Sequence, residues 1–397
     1  MKILMALEKS FPPDERVENE IDILAAEKDT RITLLCYSSP GKQNLENKGP
    51  QTIKRFPLPK LIYKLSALAL RLPFYFSFWE KQIRKTLKEE KFDVLHVHDL
   101  PLLKVGVKLA REFNIPLVSD LHENRPEIMK MYKHVNSFPG KYLISVKQWE
   151  NYQKEFTPKA DRIILVTQEA KDYYVSNFKI PAEKITVLPN YVVLNRIKNI
   201  SPKGEVPAEI KDKFTLVYFG DTGIRRGIFT IIEAAQKLRN QPEYHFLILG
   251  DSKEQSIIEN KVKEEKLTNI TLTGWISLAE AITYIRNSRA GLCPFLRNLH
   301  HDTTYANKMF QYMTFGKPVI VSDCTAQANV VYAEDCGLVF EAGNSDALVS
   351  SILKINNNDL YTRFQQNAEK CVLQKYNWEL SGKNLTELYK NIEASNI

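Results

Sequence analysis

A strand without a polar face constrains this chain more than any other feature. Val319-Ile320-Val321 is a short β-branched run with no alternating polar residue, the pattern of a strand buried on both sides. A helix precedes it, because Met309, Phe310 and Met313 stand at helical spacing and form an apolar face. Gly316 is placed to end that helix, since a residue without a β-carbon enters the left-handed region at little cost. Pro318 then opens the strand. Helix, tight turn and doubly buried strand in succession belong to a parallel sheet covered by helices on both faces. The stretch before them is polar, with Asn307 and Lys308 at the helix start. Free backbone N–H groups and partial positive charge there suit an anion such as phosphate. An ordinary α/β unit with a solvated Lys308 fits these residues equally.

The same alternation runs through both halves. In the first, strands are expected at 3–7, 31–37, 92–99, 117–123, 162–167 and 186–190, and Asp14 caps a helix carrying Val17, Ile21 and Leu24 on one face. Ligands in open parallel sheets bind beyond the carboxyl ends of strands, so His98, Asp99, His122 and Glu123 are expected to meet at one crevice. His96 and His98 share a strand face and raise the question of zinc, but spacing places no third ligand, and no metal site is assigned. A charged, proline-containing linker covers 204–213, after which strand 215–219 restarts the pattern. Gly220-Asp221-Thr222-Gly223-Ile224-Arg225-Arg226-Gly227 follows, with glycines and an arginine pair beside a helix start, a plausible diphosphate cradle. The expected fold class is α/β, with two doubly wound parallel sheets facing a cleft. A length of 397 residues suffices for two such domains.

Charge narrows the partners. The net charge is +8, and residues 51–92 hold ten Lys or Arg against three Glu, so nearly all of the excess is local. A local basic segment favours an anionic surface over nucleic acid, for which no module is present. Within it, Leu61, Leu65, Leu68 and Leu72 line one helical face beside Lys60, Lys64 and Arg71, and an aromatic run from Phe74 to Trp79 follows Pro73. Charges and proline exclude a membrane span, but 60–85 suits peripheral contact with anionic lipid; a leucine stripe packed on its own sheet explains the leucines equally. Five cysteines without a CxxC pair read as buried thiols in a reducing compartment. The opening MKILMALEKS reads as a strand and not a signal peptide, so the chain is expected in the cytoplasm, with 60–85 allowing a peripheral place on the inner face of the membrane.

Asn307-Lys308-Met309-Phe310-Gln311-Tyr312-Met313, followed by Gly316-Lys317-Pro318-Val319-Ile320, resembles the NK-L-FEYM-x-x-GKPVI pattern of GT-B glycosyltransferases of family 4 (glycosyl transferases group 1). Pro13 to Glu20 resembles the family's P-x-D-x-R-V-x-x-E, and the segments around His96-Val97-His98-Asp99 and Asp120-Leu121-His122-Glu123 resemble its VHxHD and DxHE. The resemblance implies an acceptor-side domain over 1–200, a nucleotide-sugar domain over 213–377, and a terminal helix, 378–397, that crosses back. It implies a retaining, metal-independent enzyme without cofactor, moving a sugar from a UDP- or GDP-sugar to a glycan or lipid-linked acceptor. Arg226 and Lys308 would hold the diphosphate beside Gly220 and Asn307. His122 would touch the transferred sugar or the acceptor hydroxyl, with His98, Asp99 and Glu123 on the acceptor side. Three departures stand out: Gln311 replaces the glutamate that holds the ribose, Thr303 falls where an earlier glutamate is usual, and Asp221 replaces an arginine. A nucleotide-sugar epimerase and a non-catalytic partner with a degenerate donor site remain as alternatives.

Overall fold

The computed structural model describes residues 1–38 and 40–395. The chain forms two compact units, Met1–Pro189 with Gly382–Ile397, and Asn190–Ser381. In the first, β1 (Lys2–Ser10), β2 (Arg31–Tyr37), β3 (Leu45–Lys48), β4 (Gln51–Phe56), β5 (Val94–His98), β6 (Leu117–Leu121), β7 (Arg162–Leu165) and β8 (Ile185–Val187) lie in the order β3-β4-β2-β1-β5-β6-β7-β8. All neighbours are parallel except β3 and β4. Order reverses between β1 and β5, so the crevice for a ligand opens where those two strands end. Asp14 caps the helix Glu15–Ala25 by accepting from the Val17 amide at 3.2 Å. Val17, Ile21 and Leu24 are buried as the pattern requires, but so are Arg16 and Glu20.

The second unit repeats the design. Its strands β9 (Phe214–Phe219), β10 (Tyr244–Leu249), β11 (Ile270–Leu272), β12 (Ala290–Cys293), β13 (Val319–Ser322) and β14 (Gly337–Phe340) lie as β11-β10-β9-β12-β13-β14, all parallel, with the reversal between β9 and β12. Strand β13 is buried throughout: Val319 and Val321 enter one core, and Ile320 enters the other. Gly316 ends the preceding helix at φ 63°. Residues 190–200 join this unit, because Val192 accepts from the Trp378 amide at 2.9 Å and Glu379 accepts from the amides of Leu194 and Asn195.

The basic segment differs from its sequence pattern. Helix Lys60–Leu65 gives way to a tighter turn at Ser66–Leu68, and a new helix, Phe74–Glu89, starts after Pro73. The leucines therefore share no single buried face: Leu61 is 67% exposed, and Leu65, Leu68 and Leu72 are half-buried. Most of the aromatic run is core, with Tyr75, Phe76 and Trp79 buried and the Trp79 indole N–H donating to the Tyr37 hydroxyl at 2.8 Å. Tyr63 and Phe74 face outward. Among the described residues no helix is long and apolar enough to cross a membrane. All five cysteines are free and buried.

Candidate functional site

Two constellations lie at the carboxyl ends of strands, one in each unit. In the first, Asp120 near the end of β6 is gripped by Arg16, whose Nε and Nη2 donate to its two oxygens at 2.9 and 2.7 Å. Arg16 also donates to the Leu188 carbonyl at 2.9 Å and lies 3.0 Å from Glu20. His122 Nε2 donates to Asp120 Oδ2 at 2.7 Å, and its Nδ1 lies 3.6 Å from Asp99. His98 sits 3.4 Å from both the His122 ring and Asp120. The structure thus brings His98, Asp99 and His122 together at the exits of β5 and β6, with Glu123 half-buried beside them. Asp99 has φ 63° and ψ 160°, a region almost reserved for glycine, and such strain of roughly 1–3 kcal/mol persists only where the surroundings over-determine it.

Burial alone would raise the Asp120 carboxyl, but Arg16 and His122 outweigh it and hold it well below the usual range. Burial would lower His122, but Asp120 and then Asp99 raise it above an ordinary histidine. Glu20 goes the other way, pushed well up by burial and by Asp120. His96 stacks on His98 with ring centroids 4.3 Å apart and meets the Tyr389 hydroxyl at 2.7 Å. Glu20, His96, His98 and Asp120 offer ligand atoms within 4.8 Å of one another, the third and fourth ligands that strand spacing alone leaves unplaced. Arg16 already stands among them and binds both Asp120 oxygens, so the balancing positive charge comes from a guanidinium.

The second constellation is built on the ends of β9 and β12 and on the helix Asn307–Thr314. That helix has no side-chain cap at Ala306, which leaves its first N–H groups free for an anion. Lys308 is half-buried, with its ammonium 3.4 Å from the Tyr218 ring centroid and next to Gly220. Burial, with Arg226 and Arg225 adding to it, holds this lysine well below its usual pKa. Arg226 stacks on Phe295 at 4.8 Å, and Lys308 lies 5.9 Å from the same ring. Gly227 sits at φ 79° against the Pro294 carbonyl, where a β-carbon would collide. Asp221 closes the cradle from within: Arg225 and Arg226 reach its Oδ2 at 3.1 and 3.5 Å, and its Oδ1 accepts from the Gly223 amide at 3.0 Å. In this cradle three buried nitrogens have no hydrogen-bond partner among the described residues: Arg225 Nη1, His300 Nδ1 and His301 Nε2. Burial, then His301 for His300, and then Arg226 and Arg225 for both, push His300 down to about 3 and His301 to about 4. Concentrated cationic and donor groups with unmet hydrogen bonds fit a polyanion. Gln311 is half-buried and Asn307 is exposed on the same helix.

Sequence reasoning missed Arg16, Asp120 and Glu20 as the support of His122, and His300 and His301 as part of the cradle. The signals were the resemblances over Pro13 to Glu20, which carries Arg16 and Glu20, and over Asp120 to Glu123, which carries Asp120, but neither says that the two segments meet.

Comparison with known proteins agrees with both halves. The model for Glycosyltransferase Family 4 matches residues 24–196, and that for glycosyl transferases group 1 matches residues 202–371. Among relatives, the UDP-Gal:alpha-D-GlcNAc-diphosphoundecaprenol alpha-1,3-galactosyltransferase of Escherichia coli is 22% identical over 302 residues, covering 74% of each chain. Among solved structures, sucrose-phosphate synthase from Thermosynechococcus elongatus superposes with a TM-score of 0.76 at 18% identity, covering 100% of both chains. HepE from Anabaena, solved in complex with UDP, gives 0.72 at 17% identity, covering 98% of this chain and 100% of that one. With two parallel-sheet domains, both family models matched and neighbours of this kind, the chain belongs to the GT-B glycosyltransferases of the glycosyl transferases group 1 family.

Proposed function

We propose that this chain is a retaining, metal-independent hexosyltransferase that moves a sugar from a UDP- or GDP-sugar to a glycan or lipid-linked acceptor in cell-surface polysaccharide or glycoconjugate synthesis. The observation that carries this reading is the second unit's cradle, where Arg225, Arg226 and Lys308 gather beside an uncapped helix start with unpaired donors. As the bond to the sugar breaks, negative charge grows on the departing diphosphate. Cations already fixed in place stabilise that charge without reorganising, usually the largest single contribution to such catalysis. The E. coli relative's name supports a lipid-diphosphate acceptor, and the UDP complex of HepE supports a uridine donor. Exposed Leu61, Tyr63 and Phe74 support peripheral contact with an anionic membrane through 60–85.

His122 serves transfer and not donor binding, because it belongs to the first unit while the diphosphate cradle lies in the second. In His122→Ala the donor should bind as in wild type, while transfer falls by roughly a hundredfold or more, the scale of a lost positioned proton-transfer group. Calorimetry with nucleotide and turnover with acceptor separate the two; full transfer activity in the variant would reduce His122 to a packing residue. Incubation with nucleotide sugar and no acceptor tests the epimerase reading.

Gln311 holds the ribose in place of the family's glutamate. A glutamine offers one acceptor and one donor, so it engages two hydroxyls if one of them accepts. Ribo- and deoxynucleotide affinities are compared in wild type, Gln311→Ala and Gln311→Glu. The ribose penalty should be smallest in Gln311→Ala and largest in Gln311→Glu, where the bonds become charge-assisted. An identical penalty in all three removes Gln311 from the ribose.

A further inference from the structure

Two cavities adjoin on the outer surface of the first unit, of about 690 and about 480 Å³, and share Val107, Arg111 and Lys159. The larger has an apolar floor, with Phe76 and Val105 buried and Leu70, Leu72 and Phe156 half-buried. Its rim is cationic. Lys104, Lys108 and Arg111 stand four and three residues apart along the helix Leu103–Phe113, and therefore on one face, and all three are exposed. Arg71 and Lys159 come from other elements, and Arg162 extends the rim into the smaller cavity. Carboxylates offset only part of this charge, and Lys159 pairs with Glu155 at 3.0 Å. Glu80 pairs with Lys108 at 2.7 Å but also with Arg84, and Asp161 accepts from the Leu117 amide. Among the described residues Arg71, Lys104 and Arg111 have no ion-pair partner.

We propose that this groove binds an anionic glycerophospholipid of the bilayer, its phosphate on the Lys104, Lys108 and Arg111 face and the start of one acyl chain along the Leu70–Leu72–Phe76–Phe156 floor. An apolar floor under a rim in which Arg71, Lys104 and Arg111 lack ion-pair partners among the described residues matches a ligand with a charged head and a hydrocarbon body, whereas a free phosphate has no use for the floor. The wall formed by 69–73 is flanked in the chain by Leu61 and Tyr63 on one side and by Phe74 on the other, at 67%, 67% and 53% exposure. Such a face seats in the interface of an anionic membrane, with cations at the headgroups and apolar side chains below them. The inference rests on the reading that the enzyme works at a membrane surface, and it moves the charge recognition from 60–85 to the 104–111 face.

The test uses vesicles of phosphatidylcholine with and without phosphatidylglycerol, soluble short-chain phosphatidylglycerol, and glycerol phosphate. Wild type should sediment with the anionic vesicles and bind the short-chain lipid, both more weakly at high salt. Lys104→Glu/Lys108→Glu/Arg111→Glu, three exposed positions, should weaken both by at least about tenfold while nucleoside-diphosphate affinity, the check on folding, stays as in wild type. Leu61→Ser/Tyr63→Ser/Phe74→Ser should lose vesicles but keep the short-chain lipid. Vesicle binding that survives the charge variant but not the second triple overturns the groove and leaves membrane contact at 60–85 standing. Glycerol phosphate binding as tightly as the short-chain lipid, or no binding of either, also overturns the proposal. Transfer to a soluble acceptor is measured alongside, so failure here is distinguishable from failure of the transferase reading.

Discussion

Arg16→Ala will destabilise the first unit by about 3–5 kcal/mol, the usual penalty for stripping one partner from a buried ion pair. Asp120 and Glu20 are both fully buried, and the guanidinium is the cation within 3.0 Å of each. Without it, two buried carboxyl groups are left with His96, His98 and His122 as their nearest polar side chains. Because the chain has two units, global unfolding is not a two-state measure. Amide exchange of β5 and β6 is the better readout and should accelerate by a factor of a hundred or more near neutral pH. The effect has a pH signature. The Asp120 pKa is depressed in the folded protein, so its contribution is fully present above the unfolded value of about 3.9 and fades as pH falls through the lower folded value. The variant and wild type should therefore converge in acid. Unchanged exchange at neutral pH would mean that Arg16 is dispensable and that His122 is oriented by other means.

Removing Arg226 and Lys308 from the proposed donor cradle should have the next largest effect. Charge-assisted hydrogen bonds contribute roughly 1.5–3 kcal/mol each, so Arg226→Ala and Lys308→Ala should each weaken nucleoside-diphosphate binding about tenfold or more. Together they should approach a hundredfold, short of strict additivity because both lie against Phe295. Lys308 is held below its ordinary pKa in the free protein, and a bound anion favours its charged form. Nucleotide binding should therefore take up protons and weaken as pH rises through the depressed value, well before an exposed lysine titrates. Lys308→Arg, which stays charged, should lose that pH dependence. Calorimetry in buffers of different ionisation enthalpy reads the proton uptake, and unchanged affinity in both single variants would remove these residues from the diphosphate.

What the chain makes legible is local. Apolar spacing marks the helix before β13 and the doubly buried strand after it; Asp14 marks a helix start, and Gly316 marks a stop. The hairpin of β3 and β4 is not legible, since Leu45-Glu46-Asn47-Lys48 is an edge strand, mostly exposed, that needs no apolar pattern. The leucines of 61–72 suggest a continuous face because periodicity is blind to the turn at Ser66 and the restart at Pro73. The site divides in the same way. His98, Asp99, His122 and Lys308 sit at strand ends and a helix start, positions that topology assigns without coordinates. Arg16 meets Asp120 across 104 positions and His96 meets Tyr389 across 293, and no spacing rule spans such distances. Asp221 marks both limits: its departure from the family is visible in sequence, but its engagement of both arginines emerges only in three dimensions.

The return of Lys383–Ser395 to the first unit bears on biosynthesis. That helix supplies Tyr389 to His96 and packs Leu385, Leu388 and Ile392 inward, yet the ribosome makes it after the entire second unit. At about 5–20 residues per second the interval is on the order of ten to forty seconds. For that time the nascent first unit carries an open apolar seam beside a stacked histidine pair and a buried-charge network still missing its phenol. The second unit, contiguous from Asn190 to Ser381, can close as it emerges. Maturation therefore runs against the reading direction of the message: the half that is made first is finished last.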